Sequence, residues 1–304
     1  MDQLKLRMAR RVTWGSLAVI AAISGCGPVG KMELVTGPLI KGHEAGIKKV
    51  AADPMALLRE SLAKTRTLSQ YSMAFERQER LGIIPQLRPA EHILAEYRDD
   101  PFSVRFTWKD AGSEYVQCVY VAGKNDGKVA ILPRKGAMGA APTVQNYPAN
   151  WAMLFQKARN PITDFGPRRM MERIIDRIEK AKKHGEVEIT ILEPKEIGPA
   201  REPCYHLELR YPKGDQYACK LQDLYIHMDK LWPVATYLWL PGKAGRAEST
   251  LDAMYVYASL NPLAEVTDAS FVLDKPAGTK RAKVVTAGEV EGGKKSKSEQ
   301  EDSE

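Results

Sequence analysis

The chain has 304 residues and carries 45 Lys+Arg against 38 Asp+Glu, a formal charge of +7. Hydrophobic residues at 44% and charged residues at 27% are ordinary globular values, which excludes wholesale disorder, collagen-like repeats and a polytopic membrane protein. Five His and four Cys are too few for a metal-rich or disulfide-stapled scaffold.

In chain order, Lys5, Arg7, Arg10 and Arg11 precede an uncharged stretch over 12–23, and Ile23-Ser24-Gly25-Cys26 follows directly. The stretch is shorter than the ~20 apolar residues of a permanent span. The order of charge, apolar core and small residues predicts a cleaved signal over 1–25. Ile23-Ser24-Gly25-Cys26 resembles the lipobox of bacterial lipoproteins. That resemblance implies a diacylglyceryl thioether on Cys26, palmitate labelling and a mature N-terminus there; an uncleaved anchor with an incidental Cys is the alternative. Gly27, where a retention signal has an acidic residue, implies the outer membrane, facing the periplasm. Residues 26–52 then read as a lipidated N-terminus and flexible tether, with five Gly and two Pro over 27–52.

Organised structure is predicted from Asp53, an N-cap followed by Pro54, with Met55, Leu58, Leu62 and Thr65 on one helix face. Alternation at Tyr71, Met73 and Phe75, at Ile93, Ala95 and Tyr97, and at Phe102, Val104, Phe106 and Trp108 predicts strands. Two more follow at 114–122 and 129–133 around a Gly-bounded turn. Apolar against charged faces mean an antiparallel sheet packed on one side. Gly, Ala, Pro and Asn over 136–150 predict a mobile loop. A helical period returns at Pro167, with Met170, Met171, Ile174, Ile175, Ile178 and Ala181 inward, and Gly185 stops it. Strands then fit 187–192, 205–210, 224–229, 234–240 and 251–258. Beyond 273 the composition is that of a disordered charged tail, 274–304. The order predicts one α+β domain over 53–273, a curved antiparallel sheet (an open half-barrel) wrapped over two or more helices.

Five blocks carry a further resemblance. Asp53-Pro54-Met55-Ala56-Leu57-Leu58, Phe75-Glu76-Arg77-Gln78-Glu79-Arg80-Leu81-Gly82, Arg98-Asp99-Asp100-Pro101-Phe102-Ser103-Val104, Tyr120-Val121-Ala122-Gly123-Lys124-Asn125-Asp126-Gly127 and Asn160-Pro161-Ile162-Thr163-Asp164-Phe165-Gly166 stand in order. They resemble a family of planctomycete lipoproteins known only as domain of unknown function fifteen seventy-one, over about residues 53–274. More distantly, the run from Ile226 to Val234 resembles the Asp-to-Pro β-hairpin of the lipoprotein carrier (LolA-like) fold. That fold implies a half-barrel cavity for acyl chains, lipoprotein tails or partner polypeptides.

The alternation sends Phe75, Tyr97, Phe102, Phe106 and Trp108 to one side of the sheet, with Met170, Met171, Ile174 and Ile178 covering them, as an apolar cavity or a packed core. Arg168, Arg169, Arg173 and Arg177 are expected on the outer helix face, solvated or meeting anionic lipid or a partner. Glu76, Arg77, Glu79 and Arg80 are expected to pair across strands with Arg98 or Asp99. Cys204 and Cys219 are the nearest candidates for a disulfide; buried free thiols are the alternative, and Cys118 lacks a neighbouring His for catalysis. His206, Glu208, His227 and Asp229 fall on the outer sheet face, where a metal-dependent hydrolase is the least favoured reading. No nucleophile elbow, phosphate loop or zinc-protease motif is present.

The expectation is a non-enzymatic envelope lipoprotein, anchored by lipid and binding a hydrophobic ligand, a lipid or acylated polypeptide, without cofactor or metal. An envelope protein-interaction or sensor module with a filled core is the alternative. Nucleic acid is disfavoured. Removing 1–25 leaves +4, and residues 168–183 alone hold seven basic against three acidic residues.

Overall fold

The computed structural model describes residues 43–136, 140–185, 187–212, 219–240, 246 and 250–274. The expected signal, Cys26, most of the tether and the tail beyond Asp274 lie outside the described residues. Within the expected tether the chain forms α1 (Glu44–Ala52), which buries Val50. The Gly count concealed the one-turn spacing of Ile47 and Val50. The next helix, α2 (Pro54–Arg66), starts as the sequence predicts: the Asp53 carboxylate accepts from the Ala56 N–H at 2.9 Å, and Pro54 opens the first turn. Its buried face is Leu57, Leu58, Ser61 and Thr65, rotated from the predicted stripe because α2 packs between a later helix and an edge strand.

An antiparallel meander follows: β1 (Gln70–Leu81), a short β2 (Gln86–Leu87), β3 (Glu91–Arg98), β4 (Ser103–Trp108), β5 (Tyr115–Val121), β6 (Lys128–Pro133) and β7 (Gln145–Pro148). The last of these falls in the predicted mobile loop, pairing with β6 from Ile131↔Gln145 to Lys128↔Pro148. As an edge strand, β7 tolerates Pro148, which is why turn-forming composition misled there. After a short α3 (Trp151–Leu154) comes α4 (Pro167–Ala181), burying Met170, Met171, Ile174, Ile178 and Ala181 as predicted, while Ile175, also expected inward, is only half-buried. A second meander follows, β8 (Glu188–Ile197), β9 (Glu202–Arg210), β10 (Leu221–His227), β11 (Pro233–Trp239) and β12 (Leu251–Asn261).

All pairings are antiparallel, in the order β7-β6-β5-β4-β3-β1-β12-β11-β10-β9-β8, with β2 hairpinned to β1. This is the predicted α+β architecture with an open sheet, its two meanders joined where the first strand pairs with the last. Register aligns the inner face across strands. Phe75 stands opposite Ile93 and Tyr257, Ile93 opposite Trp108, and Phe106 opposite Ala95 and Cys118.

The sheet is not packed on one side only. A C-terminal strap with a 3-10 turn (Asp268–Phe271) lies on the outer face of β4 and β5, where Val266 and Phe271 pack on Val119 and Val121. It is pinned by Arg98 to Asp268 at 2.8 Å and by Arg105 to Asp274 at 3.1 Å. In the second meander, β11 is buried at every residue and β10 at all but Leu221. There the outer face carries Tyr225, Tyr237 and Trp239 around Asp223, which accepts from His206, Trp239 Nε1 and Arg246. His206 and Glu208, expected outside, are on that face but only 2% and 5% exposed, because the aromatic rings and Arg246 cover them.

Candidate functional site

Inner-face side chains, α4 and the segment from α3 to α4 enclose a cavity of about 290 Å³. One wall is aromatic. Phe75 and Phe106 come from β1 and β4, with ring centroids 5.9 Å apart, and Phe165 inserts edge-on against both at 5.1 and 4.7 Å. Trp108 continues that wall, while Tyr255 and Tyr257 extend it onto β12. From α4 come Met170 and Ile174, and Trp151 and Ala152 of α3 close the near end.

Phe165 reaches the rings because Gly166 turns the chain sharply before α4. Its φ is +114, and a Cβ there would stand 2.6 Å from the Tyr71 hydroxyl. Beyond that point the interior is filled: Tyr71 and Tyr97 stack at 4.5 Å, and Phe102 packs edge-on against Tyr97 at 5.6 Å. Among the predicted apolar residues, Phe75, Phe106, Trp108, Met170 and Ile174 therefore line the cavity. Tyr97, Phe102, Met171 and Ile178 stand outside the lining, packed in the adjoining core or beside it.

The cavity is not purely apolar. Glu79, 4% exposed, accepts from the Tyr255 hydroxyl and from the Arg159 N–H, and Arg159 pairs with Asp252. Burial, reinforced by the Glu79 carboxylate, raises the Tyr255 hydroxyl well above its ordinary value. Arg77 pairs with Glu91, which also accepts from Trp108 Nε1 at 3.0 Å. The charged block on β1 thus finds partners other than the predicted Arg98 and Asp99: Glu76 faces His92, and Arg80 bonds the Leu251 carbonyl. Arg98 goes to the strap and Asp99 to Arg168. Strand register explains it, since Arg77 stands opposite Glu91 while Arg98 is opposite Gln70 at the far end.

Two of the four arginines expected on the outer helix face point inward instead. Arg173 and Arg177 line the cavity; Arg173 pairs with Asp164 at 3.2 Å, and Arg177 donates to Gln222 Oε1 at 3.2 Å. Arg168 and Arg169 remain on the rim, paired with Glu172. The three described cysteines are free, which overturns the Cys204–Cys219 bridge. Register places Cys204 opposite His227, and Cys219 lies just before β10, eight residues from His227, so the two cysteines sit near opposite ends of the β9–β10 pair, about 27 Å apart at ~3.4 Å per residue. A disulfide needs Cα atoms within about 7 Å.

Burial pushes the Cys118 thiol, on the cavity wall, up to about 12, so it is protonated and a poor nucleophile. Among the described residues no group of three His, Cys, Asp or Glu could hold a metal, and no helix is long and apolar enough to cross a membrane. His227 lies opposite Cys204, and its Nδ1 accepts from the Asp229 and Lys230 N–H groups, so the four polar residues considered for a metal do not converge. The inward arginines and the Glu79 pair escaped sequence reasoning. Helical spacing does hold a signal for the former, since Arg173 and Arg177 are four apart and flank Ile174.

The family profile of DUF1571, described as a protein of unknown function, matches residues 68–279. The chain belongs to the DUF1571 family. The search of curated proteins found no match. In structure this DUF1571 chain is similar to MucB, at 14% identity and a TM-score of 0.42, covering 75% of this chain and 64% of MucB. It is similar to lipoprotein LppX of Mycobacterium tuberculosis, at 12% identity and a TM-score of 0.39, covering 71% of this chain and 100% of LppX. A LolA superfamily protein from Nitrosomonas europaea matches at 9% identity and a TM-score of 0.31, covering 72% and 97%.

Proposed function

We propose that this chain is a non-catalytic envelope lipoprotein, held by lipid on Cys26 at the outer membrane, whose domain shelters the apolar part of a lipid or acylated polypeptide. The observation that carries the reading is the aromatic-walled cavity of about 290 Å³ between the inner sheet face and α4. That volume is at the low end of ligand pockets, ~300–1,000 Å³, and suits one chain rather than a whole multi-chain lipid. A ten-carbon chain removed from water gains about 8 kcal/mol at ~0.8 per methylene, part of which association costs offset. Extraction of the chain purified from expressing cells, followed by mass spectrometry, is expected to release an amphiphile near equimolar amounts. A protein that yields none, and that takes up no fluorescent fatty acid, would refute the reading.

A specific feature favours the second reading, a protein-interaction or sensor module. Leu154, the last residue of α3, and Phe155 just after it are 65% and 62% exposed, and Ile83 at the β1–β2 turn is 92% exposed. Apolar groups standing out in this way favour docking to a partner. Crosslinking in intact envelopes would support it by capturing one stoichiometric protein through Phe155 and not through a site on β8.

A further inference from the structure

Resting on the cavity reading above, we infer that the ligand is a single-chain amphiphile with an anionic head group, carboxylate or phosphate, and that Arg177 receives that head group. The geometry separates Arg177 from its fellow cavity arginines. Arg77, Arg159 and Arg173 each hold a carboxylate, from Glu91, Asp252 and Asp164 respectively. Arg177 makes no ion pair among the described residues. Its Nη1 donates to Gln222 Oε1 at 3.2 Å and approaches Cys219 Sγ at 3.9 Å, and its guanidinium lies 5.7 Å over the Tyr211 ring. A guanidinium has five N–H donors in a planar fork suited to a two-oxygen anion, more than Gln222, Cys219 and the neighbouring Tyr211 hydroxyl together engage.

The position is built and held. Gln222 is 2% exposed on the inner face; its Oε1 also accepts from the Tyr211 hydroxyl at 3.0 Å, while its Nε2 donates to Thr236 at 2.9 Å. Both oxygen lone pairs and one amide N–H of Gln222 are thereby committed, fixing its oxygen toward Arg177. The cavity's buried carboxylate, Glu79, is remote. Register runs Gln222↔Leu238↔Ala253↔Glu79, three strand spacings or about 14 Å at ~4.8 Å each. The cavity thus has an aromatic end beside Phe75 and Trp108 and, across it, a cation with no carboxylate partner among the described residues. A chain with an anionic terminus matches both ends at once.

The test measures binding to the full chain of decanoate, decyl phosphate and the neutral decanol, in wild type, Arg177→Gln and Arg177→Lys. In wild type one or both anions are expected to bind more tightly than chain length alone predicts. Arg177→Gln should lower the anion-to-decanol affinity ratio about tenfold, with circular dichroism reporting that the variant is folded; Arg177→Lys should fall between. Which anion loses affinity identifies the source of the head group. If Arg177→Gln leaves the ratio unchanged while decanol binds, the head-group assignment is overturned and the cavity reading survives. If wild type binds none of the three, both fall. Should Arg177→Gln fail to fold, an Arg177→Lys ratio equal to wild type for both anions, despite the lost planar fork, combined with no effect of 0.5 M salt on that ratio, would overturn the assignment.

Discussion

At Gly166 a backbone φ of +114 coincides with a Tyr71 hydroxyl 2.6 Å from where a Cβ would sit, and Tyr71 cannot retreat because it is stacked on Tyr97. Replacement by Ala meets both the left-handed penalty and the clash, so Gly166→Ala should cost about 2 kcal/mol or more, read as a lower urea midpoint. An unchanged midpoint would mean that the turn before α4 relaxes freely. A second residue acts through pH. His227 Nδ1 accepts from two N–H groups, which requires a neutral ring, and burial, with the Lys230 charge adding to it, lowers its pKa below 6.5. The unfolded chain therefore takes up a proton near pH 6.5 that the folded chain refuses, so the residue's contribution is complete above that pH and declines as pH falls. Burial raises the carboxyls of Glu76 and Glu202, which gives the opposite slope, so the informative quantity is a difference. His227→Asn keeps an acceptor and removes the titration; its stability should fall less than wild type between pH 7 and pH 5, by urea unfolding at each pH. Further down, burial raises the Asp223 carboxyl but hydrogen bonds from His206 and Arg246 outweigh it and hold it at about 2. Its contribution is present above an ordinary ~3.9 and is lost between there and about pH 2.

Among the elements, the segment that leads into α4 governs how much of the interior is empty. Phe165 plugs the boundary between the filled core around Tyr71 and the cavity, touching Phe75 and Phe106. Phe165→Ala should lower stability by about 3 kcal/mol, the usual cost of removing a buried ring, while lengthening the cavity. Chain-length preference for bound alcohols should then shift upward by several carbons; an unchanged preference would show that neighbours collapse into the space. The periodic elements were legible in the sequence for a physical reason. Strands such as β4, with Val104, Phe106 and Trp108 inward and Arg105 and Thr107 outward, face water or a thin cover on one side, so alternation survives. In β10 and β11 both faces are buried, which erases the alternation; their existence was legible, their two-sided packing was not. The direction of Arg173 and Arg177 was hidden for a related reason, since charge alone reads as a solvent face when the helix in fact covers a cavity with polar groups. Edge strand β7 and helix α1 were masked by Gly, Pro and Asn, whose turn preference tertiary pairing overrode.

For the whole molecule, the anchor and the domain make separable claims. Cys26→Ala should abolish palmitate labelling and move the chain from the membrane to the soluble fraction, while decanol binding by the domain is retained. Persisting label would remove the lipobox assignment without touching the cavity. Family membership was legible because its blocks fall at turns and strand ends, such as Gly82, Pro101, Gly123 and Gly166, where backbone geometry restricts the residue more than packing does. The balance of charge is likewise a property of the whole: the basic helix that carried the apparent excess is largely neutralised, with Arg168 and Arg173 held by Asp99 and Asp164.

The first strand of the sheet lies at its centre, between β3 and β12, and its second neighbour is the last of the described strands. Glu79 and Ala253 are paired across more than 170 residues. A chain that emerges from its amino end can zip β1 to β3 at once, but the other edge of β1 stays open until nearly everything else has been synthesised. During that interval an unpaired edge beside Phe75 offers itself to any passing strand. The fold thus withholds its closing pairing, and the strap that follows it, until β12 has been made.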